Sequence, residues 1–249
     1  MLVNIGTTGV NLSRNVSGLS NTGEYKWRAR VQYDIVNSPF QKFGPWKYYS
    51  NYVPVPSGGF KARYVPPVNK VLTLYAVIQG FYDPVTDTMI RDTVSVYIRQ
   101  FVSPYEVLDS ARLYLGSNGA ASHSFINSGI INNTLYYLQI RQRNSIETWN
   151  KASVFTNSSQ AFSFRNYGSA YGNNQILVDI NPLTYAIYSG DVNQDGTIDA
   201  ADVSEVDNDT YNSLSGYVRT DVNGDNFVDT ADVSIVDNNA FNSVSVVRP

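Results

Sequence analysis

Two twelve-residue segments near the end of the chain restrict its fold more than any other feature. The first is "DVNQDGTIDAAD", residues 191–202, and the second is "DVNGDNFVDTAD", residues 221–232. In both, side chains with oxygen donors recur at every second position of the first half. An unstructured acidic tail would have no reason to repeat this spacing, so we predict that both segments are folded binding loops.

The net charge of the chain is divided unevenly along its length. The 249 residues have a formal net charge of −3, but residues 190–249 contain twelve acidic side chains against Arg219 and Arg248, a net charge of −10. The residues before them carry a net charge of +7. Like charges this dense repel one another unless bound cations neutralise them, so charge and repeat together predict a cation site.

Calcium is the cation that the spacing favours. It takes about six to eight oxygen ligands, and a twelve-residue loop supplies them from positions 1, 3, 5, 7, 9 and 12, with a backbone carbonyl at position 7. The first loop would supply Asp191, Asn193, Asp195, the Thr197 carbonyl, Asp199 and Asp202. The second would supply Asp221, Asn223, Asp225, the Phe227 carbonyl, Asp229 and Asp232. We therefore predict two calcium ions.

Other positions of the two segments also fit a calcium loop. Position 6 needs a sharp turn, which Gly196 and Asn226 allow because both residues tolerate a left-handed backbone. Position 8 is apolar in both, Ile198 and Val228, and is predicted to pack the two loops together.

A short helix is predicted after each loop. The sequences "ADVSEVDND" and "ADVSIVDNN" place valines three residues apart, as on one helix face. Loop, helix, linker, loop and helix, with Asp at position 12, resemble the duplicated calcium repeat of type I dockerins over nearly all of residues 190–249. The resemblance implies a fold that forms only with calcium and a role in docking onto a protein partner, which for dockerins is a cohesin.

The resemblance also indicates where a partner would bind. Dockerins generally recognise cohesin through helix positions 10, 11, 17 and 18, which are often Ser/Thr and Lys/Arg. In this chain those positions are Ala200, Ala201, Asp207, Asn208, Thr230, Ala231, Asp237 and Asn238. Because they depart from the family's pattern, the resemblance predicts a docking surface without predicting a cohesin partner.

Residues 68–188 are predicted to form an antiparallel β-sandwich domain. Short runs such as "DTVSVYIRQ" and "TLYYLQIRQR" alternate apolar and polar residues and are separated by clusters of turn-forming residues. About seven such runs occur, without a convincing helix. The segment is similar to β-sandwich modules that precede dockerin-like ends in secreted multimodular bacterial proteins, notably at "RQRNSIETW", residues 141–149.

Residues 1–67 are predicted to form a partial β-sheet segment. Leu19, Tyr25, Trp27, Ala29 and the "GPW" at 44–46 resemble the second half of a fibronectin type III domain. The first strands of such a sandwich are missing, so either the chain is a piece of a longer protein or the sheet would be completed by the neighbouring domain or by another copy of the chain. An ordinary small β-meander is the alternative. The predicted fold class is thus mainly β, followed by a small all-α, EF-hand-like module at 189–249.

Several function classes lack the residues that they need. The chain has no cysteine and no run of apolar residues long enough to span a membrane, and its first residues lack the features of a signal peptide. There is no basic stripe for nucleic acid. His123 is the only histidine, and we predict a structural or exposed role for it rather than catalysis. Glu147 beside Trp149 is the one combination suited to a sugar, although pairing of Glu147 with a backbone group or an arginine is the favoured interpretation.

The sequence therefore predicts a non-catalytic, calcium-binding structural protein that is secreted by a bacterium and is extracellular or on the cell surface. Its dockerin-like module would dock onto a protein partner, a neighbouring copy or its own sandwich, and a surface-fibre subunit is one such role. The alternative hypothesis is a carbohydrate-binding accessory module of a scaffold-docked, polysaccharide-degrading system.

Overall fold

The computed structural model describes residues 24–25, 28–30, 32, 43, 47–48, 60–61, 69–126, 129–151, 153–154 and 158–249. The chain divides into two compact units, Met1–Pro66 and Pro67–Pro249. The β-rich region and the C-terminal repeats both belong to the second unit. The finer division into domains at 1–67, 68–188 and 189–249 stays a prediction.

The described part of the first unit contains short antiparallel strand pairs. The strands are β1 (Glu24–Tyr25), β2 (Arg28–Ala29), β3 (Lys47–Tyr48) and β4 (Phe60–Lys61). β1 pairs with β4, and β2 pairs with β3. Leu19, Trp27 and residues 44–46 lie outside the described residues, so the resemblance to a fibronectin type III domain stays a prediction.

The second unit is β-rich and ends in two helices, which confirms the predicted fold class. Its strands are β5 (Lys70–Tyr75), β6 (Tyr82–Asp83), β7 (Thr88–Met89), β8 (Asp92–Gln100), β9 (Val107–Leu115), β10 (Ala120–Phe125), β11 (Leu135–Arg141), β12 (Thr148–Trp149), β13 (Ser153–Val154), β14 (Ser159–Ser163), β15 (Ile176–Ile180) and β16 (Leu183–Ala186). Its helices are α1 (Ala200–Tyr211) and α2 (Thr230–Phe241), and short 3₁₀ turns occupy Gln79–Phe81 and Tyr171–Asn173.

Two larger sheets form most of the β-rich part, which we call the sandwich and which also contains the two-stranded pairs β6–β7 and β15–β16. In the larger sheet β11 pairs with β12, β13 and β8, and β8 pairs with β9. In the smaller sheet β5 lies between β10 and β14. Nearly all pairs are antiparallel, as predicted, but β14 runs parallel to β5. Because these two strands are far apart in sequence, no hairpin constrains their direction.

The alternating sequence of β8 builds the centre of the core. Val94, Val96 and Ile98 are buried, while the residues between them are only half-buried. Both faces of β11 are buried, however. The alternation places Tyr137 and Gln139 on the face away from the core, but other side chains cover both residues. Such a strand follows no simple period-two exposure pattern.

The helical part, residues 189–249, continues the same core. Its buried valines and isoleucine belong to one cluster of buried apolar residues together with the sandwich core. Val206 in α1 and Val236 in α2 are fully buried, as the three-residue spacing predicted. Each helix starts with a capping box, in which Asp199 or Asp229 accepts a backbone hydrogen bond and the residue three positions later accepts one in return. We call residues 189–249 the C-terminal module.

Candidate metal centre

The two acidic segments fold into closely similar loops. Gly196 and Asn226 at position 6 both have a positive φ, 94° and 71°, as the predicted turn requires. Position 4 has the same feature, with φ of 62° at Gln194 and 81° at Gly224. Loop 1 (residues 191–202) and loop 2 (residues 221–232) are therefore bent at the same positions.

The carboxylate at position 12 closes each loop. Asp202 Oδ1 accepts hydrogen bonds from the backbone N–H groups of Val192 and Asn193 at 2.9 and 3.2 Å, and its Oδ2 accepts one from Asp199 at 3.0 Å. Asp232 makes the same three contacts in loop 2, at 2.8, 3.0 and 3.0 Å. Asp at position 12 is shorter than the Glu of an EF-hand loop, and it joins the two ends of each loop through these hydrogen bonds. The remaining lone pairs of its oxygens are available to a cation.

Each loop pairs through its backbone with the segment that follows the helix of the other repeat. Ile198 donates to the Val244 carbonyl at 2.8 Å, and Val228 donates to the Leu214 carbonyl at 3.0 Å. Both side chains at position 8 are buried in the core, and their predicted role of packing the two loops together stays a prediction. The cross-pairing joins the two repeats into one module.

Four carboxylates of the loops are buried. Asp191, Asp202, Asp221 and Asp232 are each at most 2% exposed. Burial raises the pKa of all four, and it raises the pKa of Asp191 to about 6, with the nearby charges of Asp202 and Asp195 acting in the same direction. A bound cation beside these buried carboxylates would favour their charged form.

One buried carboxylate oxygen of loop 1 is suited to serve as a metal ligand. Asp191 Oδ1 has no hydrogen-bond partner, although the side chain is buried. In the described part of the chain, no three His, Cys, Asp or Glu side chains are already gathered at metal-binding distances. The predicted ligand set, however, mixes carboxylates with an asparagine and a backbone carbonyl, which is the oxygen chemistry that calcium prefers.

The predicted docking residues are all at the surface. The exposed set consists of Ala200, Ala201, Asp207, Asn208, Thr230, Ala231, Asp237 and Asn238. The last residues of the helices, Tyr211 and Phe241, are 90% and 88% exposed. They occupy equivalent positions in the two repeats, and the repetition of an aromatic residue could be read from the sequence.

The opposite side of the module packs against the sandwich of the same chain. Asn239 in α2 donates from Nδ2 to Gln79 Oε1 of the sandwich at 2.7 Å, and also to the Ser189 carbonyl within the module at 2.7 Å. Asn144 donates from Nδ2 to the Asp221 backbone carbonyl at 2.7 Å, and the backbone carbonyl of Asn144 accepts a hydrogen bond from Gly190 N at 2.7 Å. We call this interface the seam. The hydrophobic periodicity of the sequence gave no indication of which residues form the seam.

The last residues of the chain extend the seam. Asn174 donates from Nδ2 to the Ser245 carbonyl at 2.9 Å, and Arg248 Nε donates to Glu147 Oε1 at 2.8 Å. Burial acts to raise the pKa of Glu147, but hydrogen bonds from Arg248, Trp149 and Arg141 outweigh it and lower that pKa to about 2. Glu147 therefore remains ionised and ties the tail to the sandwich.

These contacts decide the interpretation of Glu147 and Trp149. Trp149 is only 4% exposed and donates from Nε1 to Glu147 Oε1 at 2.6 Å, and Arg141 pairs with the other carboxylate oxygen. The favoured pairing of Glu147 with an arginine is confirmed, and the two side chains present no open platform for a sugar. His123 is exposed on β10, where its ring lies 4.8 Å from that of Phe125.

Within the described residues, no helix is both long and apolar enough to cross a membrane.

Comparison with known proteins identifies the C-terminal module. Residues 189–241 match the family model of the dockerin type I domain, whereas no curated protein matches the chain. The helices α1 and α2 lie where such a domain places them. The β-rich region is thus followed by a dockerin type I module, a non-catalytic module for calcium binding and protein docking.

Proposed function

We propose that this chain is a non-catalytic, extracellular assembly protein of a bacterial cell surface or secreted complex. Loops 1 and 2 each hold one calcium ion through the ligands predicted from their spacing. The bound ions stabilise the C-terminal module, which attaches the sandwich to a protein partner through the exposed faces of α1 and α2. Secretion is part of the proposal because extracellular calcium would fill such loops.

The exposure of the docking residues is the observation that carries this proposal. The module already buries one side against its own sandwich, through the Asn239 bond to Gln79, the Asp221 carbonyl and the C-terminal residues. The helix positions equivalent to those used by dockerins face outward in both repeats. Internal packing and partner docking therefore do not compete for the same surface.

The chemistry of the exposed faces indicates what kind of partner fits. Small side chains at positions 10 and 11 allow a close approach, and the exposed aromatic rings of Tyr211 and Phe241 supply apolar area for an interface. Asp207 and Asp237 carry negative charge where dockerins often have Lys or Arg. We expect a partner surface with basic rather than acidic groups opposite these residues.

A binding experiment tests the proposal. The full chain, in calcium, is presented to a panel of purified type I cohesins and to immobilised copies of itself, and binding is measured by biolayer interferometry. We expect calcium-dependent binding to at least one probe, and a loss of at least tenfold in affinity when Tyr211→Ala and Phe241→Ala are combined. Both rings must be changed because the repeats present equivalent faces.

The controls separate docking from folding. Tyr114→Ala, on the exposed side of β9, removes a comparable aromatic ring from the sandwich and should leave binding unchanged. Binding that persists in excess chelator, or that the double variant leaves unchanged, would contradict the proposal. Binding confined to other copies of the chain would select the self-assembling form of the proposal, and light scattering would then give the size of the assembly.

A further inference from the structure

Arg143 of the sandwich touches the first ligand position of loop 2. Its Nη2 lies 3.4 Å from Asp221 Oδ2, and its Nε lies 3.2 Å from Asp92 Oδ2. The guanidinium carbon is 4.3 Å from the ring centre of Tyr217 and 5.3 Å from that of Phe81. The side chain is only 14% exposed, so water screens its charge weakly.

The equivalent ligand of loop 1 has different surroundings. In the parts of the chain that the structure describes, no basic side chain pairs with Asp191, and its Oδ1 lacks any hydrogen-bond partner. Asp221 instead accepts from Gly224 N through Oδ1 at 2.7 Å and from Arg143 through Oδ2. Two loops of nearly identical sequence thus present a free carboxylate oxygen in one case and a cation-paired carboxylate in the other.

The position of Arg143 does not depend on Asp221. Asp92 is buried and is itself held by hydrogen bonds from Gln142 Nε2 and Tyr217 OH, both at 2.6 Å. Because Asp92 and the two aromatic rings fix the guanidinium, its charge stays beside loop 2 when a metal ion enters. A fixed cation both competes for the lone pairs of Asp221 and repels a second cation.

We propose that Arg143 makes the two calcium loops unequal, so that loop 1 binds calcium tightly and loop 2 binds it more weakly. The residue is a positioning residue that sets metal affinity from outside the loop. The inference rests on the proposed binding of calcium to both loops. It assigns to the sandwich a direct influence on the metal affinity of the dockerin-type module.

A calcium titration of the full-length wild-type chain tests the order of filling. Backbone amide signals of Gly196 and Asn226 report loops 1 and 2 separately in ¹⁵N-labelled protein, and calorimetry gives the two binding constants. We expect loop 1 to fill first, with affinities that differ by about tenfold or more. Simultaneous filling, or filling of loop 2 first, would overturn the inference while leaving the proposed function intact. Failure of the chain to bind calcium would overturn both.

Two substitutions test whether the charge of Arg143 is the cause. Arg143→Gln should strengthen binding to loop 2 about tenfold and change loop 1 less than twofold, whereas Arg143→Lys keeps the charge and should keep the wild-type difference. A lysine variant that behaves like the glutamine variant, or a glutamine variant with weakened loop 2, would overturn the inference. If the glutamine variant does not fold, the order in which calcium fills the two loops of the wild-type chain still tests the inference.

Discussion

The sandwich and the C-terminal module share one apolar core, but they depend on different interactions. The sandwich buries large side chains such as Leu72, Leu74, Phe125 and Phe164. The module buries mainly valines, and it buries four aspartates with them. Burial of large apolar side chains gives the sandwich its stability. The module has less of this burial to offset its conformational entropy, so we expect it to depend on cations and on the seam.

Calcium removal should produce the largest difference between the two regions. We expect excess chelator to remove the helical far-UV circular dichroism signal of α1 and α2 while the near-UV signal of the sandwich persists. Calcium at ~100 times its dissociation constant stabilises the folded state by about 2.7 kcal/mol per site, or about 5 kcal/mol for two sites. Equimolar magnesium serves as the control and should restore little. A helical signal that survives in chelator would show that α1 and α2 do not depend on calcium more than the sandwich does.

A cavity in the sandwich should act independently of calcium. Leu74 is fully buried on β5, so Leu74→Ala should lower the free energy of unfolding of the sandwich by about 2–5 kcal/mol, equally with calcium and with chelator. Thr73→Ala on the opposite face of the same strand is the control, with an expected cost below about 1 kcal/mol. Denaturant titration measures both. A cost for Leu74→Ala that disappears in chelator would show that the two regions are not separable.

A methyl group at Gly80 should disturb the seam where the sandwich meets the backbone of loop 2. A Cβ at this position would overlap the carbonyl of Val222, which is backbone and cannot turn aside. We expect Gly80→Ala to cost about 1–3 kcal/mol in thermal unfolding and to speed proteolysis between residues 188 and 192. Gly116→Ala is the matched control, because its Cβ meets the side-chain oxygen of Asn118 at 3.2 Å. Equal effects of the two substitutions would argue against a tight seam.

The smallest effect concerns the C-terminal end of the seam and depends on pH. The pKa of Glu147 is about 2 in the folded chain, below the value of 4.5 that is usual for a glutamate. A lowered pKa contributes stability above the usual pKa, and this stability is lost as the pH falls from 4.5 towards 2. Wild type should therefore exceed Glu147→Gln by about 1–2 kcal/mol at neutral pH, with the difference shrinking below pH 4.5. A difference that does not change with pH would mean that packing, not charge, holds Arg248.

Much of the local structure could be predicted from the sequence. The run "DTVSVYIRQ" coincides with β8, Asp92–Gln100, because one face of that strand meets the core and the other does not. The positions of α1 and α2 followed from the valine spacing, and the turns at Gly196 and Asn226 followed from residue types that tolerate a positive φ. These features depend on neighbouring residues in the chain. The calcium ligands themselves stay a prediction.

The seam could not be predicted, because periodicity shows that a face is buried but not what covers it. Arg143 had no distinguishing pattern in "RQRNSIETW", although it contacts a residue 78 positions away. Tyr137 and Gln139 were expected on a less buried face, but Trp149 and Arg99 contact them. The parallel pairing of β14 with β5 also joins segments far apart in sequence. Such contacts depend on the whole fold.

The central claim is that calcium holds the C-terminal module in shape and against its own sandwich. Hydrogen–deuterium exchange of the full chain, with calcium and then with excess chelator, tests it most directly. We predict that chelator speeds exchange in residues 189–249 and in the seam segments 79–81 and 142–146, while β5 and β8 remain protected. Unchanged exchange in the module, or fast exchange in the module with an undisturbed seam, would contradict the claim.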